Sequence, residues 1–182
     1  MLQSDAYDFK KVLPFISSEV DDQTRSRLYS RLQCRRIEQV SRPEESALVG
    51  QNGVFATGPV QKGSCLGVYG GMLVGPSVGS AKPTCARAHV GLDKQDSRFV
   101  DGDNILSRIN TSFLYDANGK PYAEDPAACN ALPCIYTMAL SDGTLINLPV
   151  YFSACDIPAD AELRVSYGLT PDQIPVFLTE TL

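Results

Sequence analysis

Three separated stretches hold residue types able to do chemistry. The last, "YFSACDIPADAELRVSYG", runs from small apolar residues through a turn to Tyr167, an isolated aromatic followed by Gly168. A tyrosine there is a packing group, a strand-end cap, or a hydroxyl set out for chemistry. The first, "NGVFATGPVQKGSCLGVYGG", places Gly53 before a β-branched and an aromatic residue and ends on Tyr69-Gly70-Gly71. A glycine in that position permits close approach of the backbone to a ligand. The middle stretch, "SRINTS", is a cation, an apolar residue and then Asn110-Thr111-Ser112. Taken singly, Tyr69 and Tyr167 read as strand packing and Asn110 as a turn cap. "Asn-Thr-Ser" also spells a glycosylation acceptor, which requires export.

Other chemistries fit less well. Six cysteines (Cys34, Cys65, Cys85, Cys129, Cys134 and Cys155) form no C-x-x-C pair. With one histidine, His89, there is no zinc-ligand spacing, and no metal site is expected. Most of the cysteines sit among small apolar residues, which suggests buried free thiols in a reducing compartment. A cysteine hydrolase built on His89 lacks anything like a nucleophile elbow, and His89 reads first as a structural residue. The glycines at 67, 70, 71 and 75 do not follow a strand–turn–helix pattern, which argues against a dinucleotide site. Asp156 and Glu162 read as turn and surface carboxylates, or as acceptors for the motif backbone.

The elements that must position these residues differ along the chain. The 182 residues suit one domain with an N-terminal appendage. The expected division is a helical segment over 1–45, the main domain over 46–170 and a short tail over 171–182. "SSEVDDQTRSRLYSRLQCRRIEQV" opens on a serine cap and acids and closes on arginines, matching a helix dipole. Leu28, Leu32, Ile37 and Val40 supply an apolar face, so a helix is expected over about 19–40. Its arginines read as a solvated face. After Pro43, short strand-like runs alternate with Gly, Pro, Asn and Asp. "LSDGTL" between two apolar runs is a hairpin signal. Tyr115 to Ala128, polar and turn-rich, reads as an exposed loop. No apolar run is long enough for a membrane span, and "MLQSDAYDFKK" lacks the features of a secretory signal.

Together and in order, the three stretches resemble the SET-domain family of protein lysine methyltransferases. The family pattern of G-x-G-V-f-A, I-x-x-G and Y-x-G meets "QNGVFA", "VQKG" and "YGG" here. R-F-x-N-H-S meets "RINTS", and A-x-x-D-I-x-x-G-E-E-L-x-x-x-Y-G meets "ACDIPADAELRVSYG". The resemblance covers about Gly50 to Gly168. It implies a mostly-β SET domain of β-clip-like small sheets with a pseudoknot near the C-terminus, here preceded by an N-terminal α-helix. It also implies S-adenosylmethionine as cofactor, with Tyr167 as the catalytic tyrosine and Tyr69 lining the lysine channel. Asn110 and the backbone of Thr111, with Arg108 nearby, would hold the cofactor. The backbone of Asn52, Gly53, Val54 and Phe55 would cradle its amino-acid end, and His89 would lie on a strand leading towards that site. Phe177 is the aromatic placed to cover the adenine. There are departures. Gln51 stands for the first glycine, Thr111 for the histidine of N-H-S, and Asp160-Ala161 for G-E. An insert of twenty-odd residues follows "NTS". No cysteine follows Gly168, so neither a zinc-binding post-SET segment nor a cysteine-rich pre-SET segment is expected.

The implied chemistry is an in-line displacement. Free lysine has a pKa of about 10.4, yet the attacking amine must be neutral. Burial in an apolar channel beside a sulfonium lowers that pKa, because both disfavour the ammonium. No strong protein base is then required. The protein supplies alignment, worth roughly 7–11 kcal/mol in favourable models, and uncharged oxygens around the methyl group and the amine.

Charge bears on the partner. Residues 1–42 carry 8 Lys/Arg and 6 Asp/Glu, net +2, whereas residues 43–182 carry 8 and 15, net −7. An acidic body suits a basic peptide, such as a histone tail, over direct nucleic-acid contact or a membrane; it also serves solubility alone. The altered motifs leave open a SET-like cofactor- or peptide-binding module without turnover. The expected location is intracellular, in cytoplasm or nucleus, or a host cell into which the protein is delivered as an effector.

Overall fold

The structure is a computed structural model that describes residues 7–75, 87–93 and 96–181; Cys85 lies outside the described residues. A short helical turn, α1 (Leu13–Ile16), precedes helix α2 (Asp22–Tyr29). Asp21 caps α2, its carboxylate accepting from the Thr24 backbone N–H at 2.8 Å, which satisfies one of the orphan donors of a helix start.

The helix expected over 19–40 stops at Tyr29. Residues Leu32–Arg36 instead form strand β1, antiparallel to β2 (Asn52–Ala56). Tertiary contacts override the helical pattern. The Tyr29 hydroxyl reaches the Val68 carbonyl at 3.2 Å, and its ring meets Phe15 edge-on at 5.3 Å. Leu32 and Ile37, at 5% and 1% exposure, anchor the two ends of the strand. Between them, the Arg35 guanidinium lies 3.7 Å from the centre of the Phe55 ring in a cation–π contact.

The remaining strands form small antiparallel sheets, so the fold is mostly β with few, short helices. Strands β3 (Cys65–Val68), β4 (Gly71–Val74), β5 (Arg87–His89) and β6 (Phe99–Gly102) follow in the chain. Next come β7 (Phe113–Tyr115), β8 (Pro121–Glu124), β9 (Ala131–Ala139) and β10 (Leu145–Ser153). One sheet has the order β3-β10-β9 and another β4-β6-β5. The "LSDGTL" segment closes the β9–β10 hairpin as expected. Leu140 N–H donates to Thr144 O at 2.8 Å, and Gly143 takes a φ of 81° that glycine adopts without cost. Tyr115 to Ala128, expected as an exposed loop, holds a second hairpin: β7 pairs with β8, and a 3-10 turn follows at Pro126–Ala128.

Two apolar clusters hold these layers. One gathers Leu32, Val54, Leu66, Tyr69, Leu106, Ile109 and Val165 beneath the three motif stretches. The other packs Val12 and Phe15 of the N-terminal segment onto Cys65, Val150 and Phe152 of the central sheet. Full burial of such a side chain contributes roughly 1.5–3 kcal/mol, so the N-terminal turn is tied to the body through α1.

Candidate functional site

The C-terminal motif is laid between two earlier parts of the chain. Ile157 and Val60 exchange backbone hydrogen bonds, both at 2.8 Å. Asp160, at φ 61°, makes the turn, and its N–H donates to Ala56 O at 2.8 Å. Leu163 N–H then donates to Val54 O at 2.7 Å and Val165 N–H to Asn110 O at 3.0 Å. On the other side, Asn130 and Ala131 donate to Arg164 O at 3.1 and 2.9 Å. The three stretches that stand far apart in sequence are thereby one hydrogen-bonded unit.

Tyr167 is held at both ends. Its hydroxyl donates to the Ile109 carbonyl at 2.6 Å, and its backbone N–H donates to Glu124 Oε1 at 2.7 Å. About a third of its surface, 36%, is exposed. Tyr69 is buried at 5%. Its ring meets Tyr151 edge-on at 6.0 Å, and its hydroxyl abuts Gly102, whose open side Ser107 also borders. Both hydroxyls therefore face the segment Gly102–Ile109, whose centre is a 3-10 turn, Ile105–Arg108. Burial pushes the Tyr151 phenol well above its ordinary range, and Tyr69 adds to the effect.

Around Asn110 the sequence-predicted residues converge. The Asn110 amide donates to Asn52 O at 2.9 Å and to Glu162 Oε1 at 3.1 Å. The space beside Gly53 is used by that same carboxylate: a Cβ at this position would lie 2.6 Å from Glu162 Oε1. Glu162 Oε2 pairs with Arg164 at 2.7 Å, and Arg164 donates to the Thr111 carbonyl at 2.8 Å. Arg164 also lies 3.7 Å from Glu45, which pairs with Arg42, and Arg42 pairs with Asp125, the last two contacts both at 2.9 Å. Glu162 is therefore a half-buried member of a charge network rather than a surface carboxylate. Asp156 does serve a turn, accepting from Lys62 N–H at 2.7 Å.

The other predicted residues stand as follows. Val54 is fully buried, with its carbonyl taken by Leu163, and Phe55 lies under Arg35. Arg108 is exposed at the end of its turn. His89 ends β5, with its ring 5.4 Å edge-on to Phe99 and Nε2 2.6 Å from Asp96 O. Phe177 falls on helix α3 (Ile174–Thr181), its side chain outside the described part of the structure. A cleft of about 530 Å³ borders the network, lined by Arg42, Phe55, Ser112, Glu162 and Arg164 among others. Neither Tyr69 nor Tyr167 lines it.

Several residues of this assembly escape sequence reading, among them Glu124, Arg164 and Glu45. Glu124 accepts from the Thr111 hydroxyl at 2.9 Å and the Ser166 hydroxyl at 2.6 Å, as well as from backbone N–H groups of residues 167–169. Its neighbour Cys129 has a thiol pushed up to about 11, first by burial and then by the charges of Glu124 and Asp125.

No family model matches the chain, and neither does any curated protein sequence. Solved structures do. The methyltransferase domain of human PR domain-containing protein 2 is 17% identical, with a TM-score of 0.47, over 76% of this chain and 78% of that one. A Plasmodium falciparum protein assigned provisionally as a histone methyltransferase is 12% identical, also with a TM-score of 0.47, over 77% of this chain and 95% of that one.

Proposed function

We propose that the protein is a SET-type lysine methyltransferase that takes its methyl group from S-adenosylmethionine. The observation that carries the reading is the joining of the three motif stretches. Tyr167 of "ELRVSYG" is hydrogen-bonded to Ile109 of "SRINTS", Asn110 is bonded to Asn52 beside Gly53, and Tyr69 faces the same turn.

The bound cofactor would supply a methyl group on a positively charged sulfur. A neutral lysine nitrogen, its ammonium proton already lost to water, would accept that methyl group in an in-line displacement. The chain's own residues would align and solvate. A phenol that donates to a carbonyl keeps oxygen lone pairs for a third group, which suits Tyr167 to the polarised methyl group or the amine. Tyr69 and Tyr151 supply the apolar wall that disfavours the ammonium. Asn52, Gly53, Val54, Phe55, Arg108, Asn110, Thr111 and Phe177 remain the candidate cofactor residues. The acidic body suits a basic peptide, with a histone tail as the candidate substrate.

A second reading, a SET-like module that binds without turnover, is favoured by the internal engagement of this region. The Thr111 carbonyl and hydroxyl and the Asn110 amide all have protein partners. Calorimetry with S-adenosylmethionine, followed by a labelled-methyl assay on histones and on a cell lysate, separates the readings. Binding and transfer support the enzyme, binding without transfer supports the module, and no binding removes both the enzyme and cofactor-binding forms.

A further inference from the structure

The hairpin β7–β8 interrupts the motif region, yet its last residue reaches the centre of it. The Glu124 carboxylate accepts from the N–H groups of Tyr167 at 2.7 Å, Gly168 at 2.9 Å and Leu169 at 3.2 Å. Successive N–H groups around a left-handed residue form an anion-binding concavity, and Gly168 has the required φ of 72°. The hydroxyls of Ser166 at 2.6 Å and Thr111 at 2.9 Å complete the shell. Five donors from two motif stretches thus converge on one carboxylate. Thr111 is also one of the positions where the sequence departs from its resemblance, and its hydroxyl donates to Glu124.

We infer that Glu124 is a positioning residue for Tyr167: with Thr111 it clamps the Tyr167–Leu169 backbone so that the phenol stays on the Ile109 carbonyl. The inference rests on the methyltransferase reading. Tyr167 is tethered by Glu124 at its backbone and by Ile109 O at its hydroxyl, 2.7 and 2.6 Å long. Removing the first loosens the backbone end from which the ring is aimed. Misplacement by about 1 Å costs up to about a hundredfold in rate. Glu124 itself touches neither reacting atom, so its loss falls on alignment and not on cofactor affinity.

The test uses the full chain. Amide exchange on the wild type comes first. The Tyr167, Gly168 and Leu169 amides are expected to exchange more slowly than in an unstructured peptide of the same sequence; exchange at the peptide rate overturns the clamp. Glu124→Ala is then expected to lower kcat by about tenfold to a hundredfold. The peptide KM and the cofactor Kd should change less than about threefold, the pattern of an interaction that acts in the transition state. Glu124→Gln keeps one acceptor oxygen and should recover part of the rate. Wild-type kcat in Glu124→Ala, or a loss carried by the cofactor Kd, overturns the role. If Glu124→Ala does not fold, Glu124→Gln and the wild-type exchange rates decide. A wild type that binds no S-adenosylmethionine removes the methyltransferase reading instead, a result distinct from an unprotected nest.

Discussion

Replacing Arg164 by methionine should strand one buried and one half-buried carboxylate. The arginine side chain is 9% exposed, and its partners Glu162 and Glu45 are 14% and 7% exposed. Arg164→Met keeps the apolar stem and removes the charge. It also leaves the backbone bonds to Asn130 and Ala131 in place. Breaking a buried pair in this way costs about 3–5 kcal/mol. Two contacts soften the loss: Glu45 keeps Arg42 at 2.9 Å, and Glu162 keeps the Asn110 amide at 3.1 Å. The expected loss is therefore at the low end, about 3 kcal/mol, or roughly 6–12 °C in Tm for a chain of this size. Urea unfolding followed by circular dichroism reads it as a lower midpoint with an unchanged slope. Adding Glu162→Gln to Arg164→Met should restore part of the stability, with a coupling of about 1–3 kcal/mol. A loss below about 1 kcal/mol without coupling would mean that the network behaves as a solvated surface pair, and the account of how Thr111 is held would fail.

Two further outcomes are expected. Gly102→Ala would place a Cβ against the Tyr69 hydroxyl and 2.6 Å from the Ser107 Cβ. It should destabilise the fold by about 1–3 kcal/mol in a thermal melt and lower methyl transfer by displacing Tyr69; unaltered turnover would remove Tyr69 from the site. Thiol alkylation at pH 7.5, mapped by mass spectrometry, should modify the exposed Cys34 and Cys155 before Cys65 and Cys129. Burial pushes the latter two thiols up to about 11, and only the thiolate attacks. Labelling of Cys65 at the rate of Cys155 would contradict that burial.

Much of the architecture was legible in the chain because its signals are local. The turn residues of "LSDGTL" specify the β9–β10 hairpin, and strand-like runs match β2, β3, β9 and β10. The two legs of "ACDIPADAELRVSYG" do fold around "PADA", with Asp160 taking the left-handed turn position. Residues 30–40 misled because Leu28 and Leu32 sit four apart, as in a helix, while the partner that makes Leu32–Arg36 a strand lies at Asn52–Ala56. The cysteines misled in part, since Cys34 and Cys155 are exposed. Glu124 was hidden among polar turn residues, where one carboxylate gives no periodic signal. Its role needs a three-dimensional nest whose only sequence trace is the glycine after Tyr167. Gly53 was read as a place where a ligand approaches the backbone; the group that lies there is the Glu162 carboxylate of the protein itself.

If Tyr167 serves methyl transfer to a lysine amine, its hydroxyl must be needed for labelled product. The most direct measurement incubates wild type and Tyr167→Phe with isotopically labelled S-adenosylmethionine and histone or lysate protein, then locates the label on lysine side chains by mass spectrometry. Labelled lysine is expected with the wild type, and a fall of about a hundredfold with Tyr167→Phe, at unchanged cofactor affinity. Equal labelling by the two proteins, or none by a wild type that binds the cofactor, would contradict it.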